Sequence, residues 1–307
     1  MISLPRDVNL DDLLEFLRNI GLKSSSMLRN FEKDLVPLYS LSSNLHSNLK
    51  NKDPVTEADL TLNKFILNEF RERYPNAEWD IISEENSKSI SYEVSKSDWK
   101  WFIDPLDGTK DFIQNTGEYA VHIGLLFKNK PILSLVLLPS LKEMWFGVNG
   151  IGTWKESEKY NLQKKKIDFE NKKFKNYPKN SLIKVLTSKN HNNPKLEIIL
   201  KEMNFENIIR MGSIGYKLCT LLRGDADVYI SISGKTSPKD WDLAAPHALI
   251  KSAKCNFTYV SGKEISYENT NYEQKGCLIA STLPNNVHKD ICYQIECILK
   301  QYNLENP

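Results

Sequence analysis

Two aspartates, Asp104 and Asp107, are the residues of this chain best placed to do chemistry. They stand three positions apart in the segment Trp101–Phe112, whose sequence is WFIDPLDGTKDF. The apolar residues that begin this segment predict the end of a buried strand. Pro105 and Gly108 predict that the strand breaks there into a turn. The sequence therefore predicts two carboxylates side by side at the end of a strand.

The same turn contributes backbone groups. The carbonyl of Leu106 lies between the two aspartates in sequence, and the amides of Gly108 and Thr109 follow them. Ligands that are all oxygen suit a hard cation such as Mg²⁺, and N–H groups at a turn that opens a helix suit a phosphate group. A metal ion and a phosphate at one strand end indicate phosphoryl chemistry.

Acidic residues in three other short segments could likewise serve as metal ligands. Taken singly, each segment has an ordinary structural explanation, because Asp, Pro and Gly form turns for local backbone reasons and an acid near the start of a helix can cap it. In that alternative, Thr56 and Asp59 form a capping box, and Asp242 caps a helix predicted at Leu243–Ser252. The segments are Asp53–Leu60 (DPVTEADL), Ile81–Asn86 (IISEEN) and Trp241–Pro246 (WDLAAP).

These four segments resemble, in order, the motifs of the inositol monophosphatase superfamily. DPLDGTKDF resembles its central metal motif, DPVTEADL its first element, IISEEN its acidic strand end and WDLAAP its C-terminal metal motif. That superfamily includes inositol monophosphatases, fructose-1,6-bisphosphatases and 3′(2′),5′-bisphosphate nucleotidases. The resemblance covers the chain from about residue 50 to about residue 250, and it implies a layered α-β-α-β-α sugar-phosphatase fold.

The resemblance also implies a metal site and a mechanism. Thr109 orients the attacking water, Asp59 accepts the proton of the threonine hydroxyl, and the amides of Gly108 and Thr109 hold phosphate oxygens. Glu84 is implied both as a metal ligand and as a catalytic residue. Two Mg²⁺ ions are implied, a third near Glu84 is left open, and inhibition by Li⁺ is a trait of the family. The implied ligands are Glu84, Asp104 and the Leu106 carbonyl for the first ion, and Asp104, Asp107 and Asp242 for the second.

Lys235 bears on the choice of substrate. It stands seven residues before Asp242, where inositol monophosphatases typically carry a glutamate that accepts hydrogen bonds from inositol hydroxyls. A lysine cannot accept those hydrogen bonds, but it can attract a second phosphate group. A shift of the loop would give this role to Lys239 instead. The Gly212-Ser213 turn resembles the family's substrate-proximal element, and an ordinary N-cap is the alternative for Ser213.

The form of the central motif favours one branch of the superfamily. GTKDF at 108–112 resembles bisphosphate nucleotidases more than the GTTNF form common in inositol monophosphatases. We therefore predict a Mg²⁺-dependent phosphatase that removes the 3′-phosphate of adenosine 3′,5′-bisphosphate to give AMP and phosphate. An inositol monophosphatase or a fructose-1,6-bisphosphatase is the alternative enzyme. A catalytically silent protein that binds a phosphorylated ligand is the alternative without catalysis.

Composition limits the class of protein. The chain has 307 residues, of which 40% are hydrophobic and 26% charged, as is typical of a folded soluble protein of about two domains. The net charge of +2 gives no indication of nucleic-acid binding. Five cysteines without a CxxC pair, together with no signal-peptide or membrane-span pattern, favour the cytoplasm. A phosphorylated small molecule is the expected partner, and a homodimer is left open.

Hydrophobic periodicity predicts the elements that position these motifs. Asn9 is a predicted N-cap for an amphipathic first helix, and a second helix is predicted to start near Thr56. Val121–Phe127 and Ile132–Leu138 predict an antiparallel hairpin, and alternating elements in the second half predict an α/β layer. The predicted divisions are an N-terminal α+β domain at 1–155, a lysine-rich connecting segment at 156–179 and a C-terminal α/β domain at 180–307.

Overall fold

Two β-sheets organise the protein. The computed structural model describes residues 2–41, 57–87, 97–169, 179–191 and 193–304. The first sheet has seven strands that lie side by side in chain order. Its first two strands are parallel and the later neighbours are antiparallel. The strands are β1 (Trp79–Ser83), β2 (Trp99–Asp107), β3 (Ala120–Phe127), β4 (Lys130–Leu138), β5 (Glu143–Val148), β6 (Gly152–Ser157) and β7 (Lys165–Ile167).

The second sheet has five strands and a mixed topology. In the order in which they lie, the strands are β11, β12, β10, β8 and β9. The last three are parallel to one another, whereas β12 is antiparallel to both of its neighbours. The bounds are β8 (Lys184–Ser188), β9 (Asn207–Met211), β10 (Val228–Ile232), β11 (Asn256–Tyr259) and β12 (Cys277–Ser281).

Helices form the remaining layers. One pair packs on the outer face of the first sheet, one pair lies between the sheets, and one pair covers the outer face of the second sheet. This order confirms the predicted α-β-α-β-α fold. In chain order the helices are α1 (Leu10–Leu41), α2 (Glu57–Arg73), α3 (Glu84–Ser87), α4 (Thr109–Ile113), α5 (Pro194–Glu202), α6 (Ile214–Arg223), α7 (Asp240–Ser252) and α8 (Asn285–Gln301).

Local predictions at a helix start and at a hairpin are confirmed. The Asn9 side chain accepts the amides of Asp11 and Asp12 at 2.8 and 3.2 Å, and so caps α1. In the hairpin of β3 and β4, Lys128 and Asn129 have φ values of 49° and 58°. Positive φ at both central residues is the mark of a type I′ turn, whose twist matches that of antiparallel strands.

The middle layer lies unusually close to the first sheet. A Cβ placed on Gly124 of β3 would lie only 2.7 Å from the backbone nitrogen of Ala245 in α7. No side chain fits in that gap, so the glycine lets the helix backbone lie directly on the strand. This approach brings the start of α7, with its WD motif, next to the strand ends of the first sheet.

Several boundaries differ from the sequence-based predictions. Helix α7 begins at Asp240 rather than Leu243, so Asp242 lies inside its first turn. Strand β7 falls within the predicted connecting segment 156–179 and pairs with β6, while residues 170–178 lie outside the described residues. The division into domains therefore stays a prediction. Within the described ranges, no helix has the length and apolar character needed to cross a membrane.

His288 of α8 makes the stability of the fold sensitive to pH. Its side chain is buried, with Ser281 Oγ 2.8 Å from Nδ1 and Thr258 Oγ1 3.0 Å from Nε2. Burial lowers the pKa of His288 to about 4, against about 6.5 in an unfolded chain. Below pH 6.5 His288 is protonated in the unfolded state but stays neutral in the folded state. Stability is therefore lost as pH falls from about 6.5 to about 4, by up to about 3 kcal/mol.

We expect His288→Gln to flatten this pH dependence. Glutamine keeps a donor and an acceptor but does not titrate. The measurement is the free energy of unfolding in urea at pH 7, 6 and 5 with EDTA present, for the wild type, His288→Gln and, as a control, the exposed His191→Gln. Equal slopes for wild type and His288→Gln would contradict the assignment.

Candidate active site

An irregularity near the end of β2 brings the two aspartates to the same face of the sheet. Asp104 pairs with His122 of β3, whereas Asp107 pairs with Ala120, so three steps along β2 match two along β3. Side chains alternate between the faces of a regular strand, and one extra residue resets that alternation. The strand therefore continues through Pro105 as a bulge, instead of ending before it as predicted.

The parallel pairing of β1 with β2 brings a third acid to the same edge. Ser83 pairs with Ile103, so the residues that follow them, Glu84 and Asp104, are neighbours. Asp104 is 1% exposed, and its Oδ1 accepts the Leu106 amide at 2.9 Å. This hydrogen bond folds the chain back between the two aspartates.

Asp104 lies in a field of negative charge. Burial raises the pKa of its carboxyl well above the ordinary range, and four other carboxylates raise it further. A carboxylate raises the pKa of another through the repulsion between their charges, which places these four acids in the neighbourhood of Asp104. The structure thus brings together all five acids that sequence reasoning assigned to the site. The four that act on Asp104 are Glu84, Asp107, Asp242 and Asp59.

Asp107 is held by the start of α6. Its Oδ2 accepts the Ser213 hydroxyl at 2.5 Å and the Gly215 amide at 3.1 Å, and His122 Nε2 lies 3.3 Å from the same oxygen. Ser213 Oγ also accepts the Tyr216 amide at 3.1 Å, so the N-cap alternative for this serine is observed. A role of Ser213 in binding substrate stays a prediction.

Asp242 combines two of its proposed roles. Its Oδ2 accepts the Lys239 amide at 2.7 Å, which stabilises the first turn of α7. Burial raises the pKa of Asp242 well above its ordinary range, and the carboxylate of Asp107 raises it further. Asp242 is therefore both a helix-stabilising residue and a member of the group formed by Asp104 and the four acids around it, which we call the acidic cluster.

Gly108 and Thr109 join β2 to α4. Gly108 has a φ of +92°, a conformation that favours glycine. The Thr109 hydroxyl donates to the Leu106 carbonyl at 3.1 Å, whereas the resemblance implied Asp59 as its acceptor. A carbonyl oxygen has two lone pairs, so Leu106 can accept this hydrogen bond and still bind a cation.

Asp59 lies in the first turn of α2 and is 2% exposed. Four residues further along the same helix, the Asn63 amide donates to Asn86 Oδ1 at 3.4 Å, which ties α2 to the short helix that begins with Glu84. Residues 53–56 of the first motif lie outside the described residues. The predicted helix start at Thr56 is among them.

The two lysines predicted to bind substrate differ in their surroundings. Lys235 is exposed in the loop between β10 and α7, which leads directly to Asp242. Lys239 Nζ instead contacts Glu273 Oε1 at 3.0 Å. Glu273 also contacts Lys275 Nζ at 3.0 Å, so one carboxylate is shared by two lysines. A role of Lys235 or Lys239 in binding substrate stays a prediction.

The donor set fits a hard divalent cation. Five clustered carboxylates and the Leu106 carbonyl supply only oxygen, which is what Mg²⁺ prefers. Among the described residues, no three His, Cys, Asp or Glu side chains are already gathered as the ligands of one ion. Two effects oppose such gathering: like charges repel, and Asp107 and Asp242 each give one oxygen to protein N–H groups. The identity of each ligand and the number of ions stay predictions.

Sequence reasoning missed the polar residues that tie the site together. Their partners lie far away in sequence: Lys189 and Glu118, for example, contact each other across 71 residues. No local pattern predicts such a pair. Lys217 was also missed, and burial lowers its pKa to about 8. The group consists of Asp111, Glu118, Lys189, Asn190 and Lys217.

Comparison with known proteins decides the family. The model of the inositol monophosphatase family matches residues 12–300. The chain belongs to the inositol monophosphatase family. This membership confirms the resemblance read from the four motifs and the prediction of a phosphatase.

Individual relatives point to one branch. The chain is 32% identical to a protein of Haemophilus influenzae, over 76% of this chain and 81% of the relative. It is 30% identical to one of Salmonella typhimurium, over 78% and 91%. Both are named 3′(2′),5′-bisphosphate nucleotidase CysQ. The solved structure of CysQ from Bacteroides thetaiotaomicron shares the fold, with a TM-score of 0.68 at 21% identity over 90% of this chain and 99% of that one.

Proposed function

We propose that this protein is a Mg²⁺-dependent 3′(2′),5′-bisphosphate nucleotidase that converts adenosine 3′,5′-bisphosphate to AMP and phosphate. The observation that carries the proposal is the buried Asp104, which the pairing of β1 with β2 places beside Glu84. The charges of Asp107, Asp242 and Asp59 also raise its pKa. The names of the relatives support the nucleotidase branch. The exposed Lys235, in the loop that leads to Asp242, supports a substrate with a second phosphate.

The residues of the site would bind either the metal ion or the phosphate group. Glu84, Asp104, the Leu106 carbonyl, Asp107 and Asp242 would hold Mg²⁺, which when bound offsets the negative charge of the phosphate ester and acidifies water. The amides of Gly108 and Thr109, at the start of α4, would donate to phosphate oxygens.

Thr109 would orient the water that attacks phosphorus. Its hydroxyl donates to the Leu106 carbonyl, so the lone pairs of its oxygen remain to accept a hydrogen bond from that water. For the threonine to pass its own proton to Asp59, the hydroxyl must rotate away from Leu106. We therefore propose orientation of water as the primary role of Thr109 and electrostatic support as that of Asp59.

We also propose a compartment and a partner for this reaction. The cytoplasm suits a chain whose five cysteines include no CxxC pair, because a reducing compartment disfavours disulfides. The partner is a small phosphorylated molecule, and a homodimer stays a prediction.

Phosphate release from a substrate panel tests the proposal. With Mg²⁺ present, adenosine 3′,5′-bisphosphate should be hydrolysed with a much higher kcat/KM than inositol 1-phosphate or fructose 1,6-bisphosphate, and EDTA should abolish the activity. Comparable efficiency on inositol 1-phosphate would favour the inositol monophosphatase alternative. Binding of the nucleotide without phosphate release would favour a catalytically silent protein.

We expect Li⁺ to inhibit the enzyme where Na⁺ does not. Li⁺ is close to Mg²⁺ in size but carries half the charge, so in an oxygen site it occupies space without supplying the same electrostatic stabilisation. The measurement is the initial rate of phosphate release in LiCl and NaCl at matched ionic strength and fixed Mg²⁺. Equal rates in the two salts would count against a Mg²⁺ site of this kind, but not against the fold.

A further inference from the structure

Asp111, in the short helix α4, is a fully buried carboxylate. Its Oδ1 contacts Lys189 Nζ at 2.5 Å and accepts the Thr116 hydroxyl at 2.9 Å. Its Oδ2 accepts the Asn190 amide at 2.6 Å. A buried charge is tolerated when it is both paired and hydrogen-bonded, and Asp111 satisfies both conditions.

Lys189 continues this chain of contacts toward α6. Its Nζ also contacts Glu118 Oε2 at 2.7 Å, and the same oxygen accepts the Gly212 amide at 2.8 Å. We call Asp111, Lys189 and Glu118 the Lys189 bridge. The bridge joins the segment after β2 to the loop after β8 and to the turn between β9 and α6. These three parts of the chain are far apart in sequence.

Gly212 fits against the bridge without a gap. A Cβ on this residue would lie 2.2 Å from Asp111 Oδ2 and 2.7 Å from the Glu118 carbonyl oxygen. The turn backbone therefore packs directly on the bridge. The residues that follow, Ser213 and Gly215, donate to Asp107 Oδ2. The bridge thus reaches a carboxylate of the acidic cluster through a single turn of backbone.

We propose that Lys189 is a positioning residue for Mg²⁺ binding. Through the bridge it fixes the Gly212-Ser213 turn, and the turn fixes the orientation of Asp107. Groups that orient a metal ligand from behind change metal affinity without touching the metal. Lys189 does not act on substrate, because its ammonium group already contacts two carboxylates. The inference rests on the proposed function, in which Asp107 is a ligand of Mg²⁺.

A purely structural ion pair is the competing explanation. Breaking a buried pair leaves an uncompensated charge and destabilises the protein, whatever the pair is near. Stability alone therefore cannot separate the two explanations. Mg²⁺ affinity can, because a structural pair has no reason to change it once the protein is folded.

The experiment compares Lys189→Met and Lys189→Arg with the wild type. Mg²⁺ binding is measured by calorimetry without substrate, kcat and KM by phosphate release, and folding by thermal unfolding. We expect Lys189→Met to raise the Kd for Mg²⁺ about 10-fold and to lower kcat at a fixed, subsaturating Mg²⁺ concentration, with little change in KM for the nucleotide. Lys189→Arg, which can contact both carboxylates, should restore most of the affinity.

A matched control and a second variant keep the test decisive. Arg210→Met breaks an ion pair with Glu197 (3.0 Å) on the strand that leads to the same turn, and should leave Mg²⁺ binding unchanged. If Lys189→Met does not fold, the double variant Asp111→Asn/Lys189→Met also removes the fully buried carboxylate charge of Asp111, and should fold with the same weakened Mg²⁺ binding.

Wild-type Mg²⁺ affinity in folded Lys189→Met, or in the double variant, would overturn the proposal. An equal loss of affinity in Arg210→Met would overturn it too, since any broken pair would then suffice. Calorimetry reports on Mg²⁺ even if the nucleotide is not the substrate. A failure of the substrate assignment and a failure of this inference are therefore distinguishable.

Discussion

Replacing Asp104 by asparagine is expected to lower kcat/KM for phosphate release by about 10³-fold, because several kcal/mol of electrostatic stabilisation are lost with the metal. The side chain is buried and lies among four other carboxylates, and it is the proposed ligand shared by two Mg²⁺ ions. Asparagine keeps the oxygen that accepts the Leu106 amide, so the turn should survive. The rate of phosphate release at saturating Mg²⁺ is the measurement.

Thermal unfolding separates lost chemistry from lost folding in this variant. In EDTA, Asp104→Asn should be at least as stable as the wild type, because removing one of several like charges relieves repulsion. Added Mg²⁺ should raise the Tm of the wild type but not that of the variant, since a ligand stabilises only the state that binds it. The control is Asp98→Asn, an exposed residue just before the same strand, which should behave as the wild type. Full activity in folded Asp104→Asn would refute the metal assignment.

The charge reversal Lys235→Glu is expected to lower kcat/KM for adenosine 3′,5′-bisphosphate by about 10- to 100-fold, mainly through KM. Exchanging attraction for repulsion toward a phosphate at short range is worth between ~1 and ~4 kcal/mol, depending on how wet the contact is. The second phosphate does not react, so its contacts contribute equally to ground state and transition state and are lost from KM. Steady-state kinetics of the variant measure both constants.

Two comparisons make this prediction specific. Lys289→Glu, an exposed position on α8 in the outer layer, changes the net charge by the same amount and should leave KM unchanged. Inositol 1-phosphate has no second phosphate, so Lys235→Glu should not weaken its use and should restore an acceptor for its hydroxyls. If KM for the nucleotide stays at the wild-type value, Lys235 does not contact the second phosphate.

The local sequence determined a large part of this protein. Caps and turns such as Asn9, Ser213 and the hairpin between β3 and β4 were predictable, because the groups that stabilise them lie within a few residues of one another. The layered fold and the family followed from four short motifs in order. The sequence also predicted that Glu84, Asp104 and Asp242 lie near one another, because their motifs place each of them at a strand end or a helix start.

Tertiary structure decided the strand register and the side-chain contacts between residues that are far apart in sequence. The bulge that turns Asp104 and Asp107 to the same face is visible only in the register of β2 against β3. The ion pair between Lys239 and Glu273 joins residues that stand 34 positions apart, and no local pattern predicts it. The Lys189 bridge likewise joins side chains that no periodicity or motif connects. Long-range pairs of this kind depend on which elements pack together, and a sequence pattern of a few residues carries no information about that.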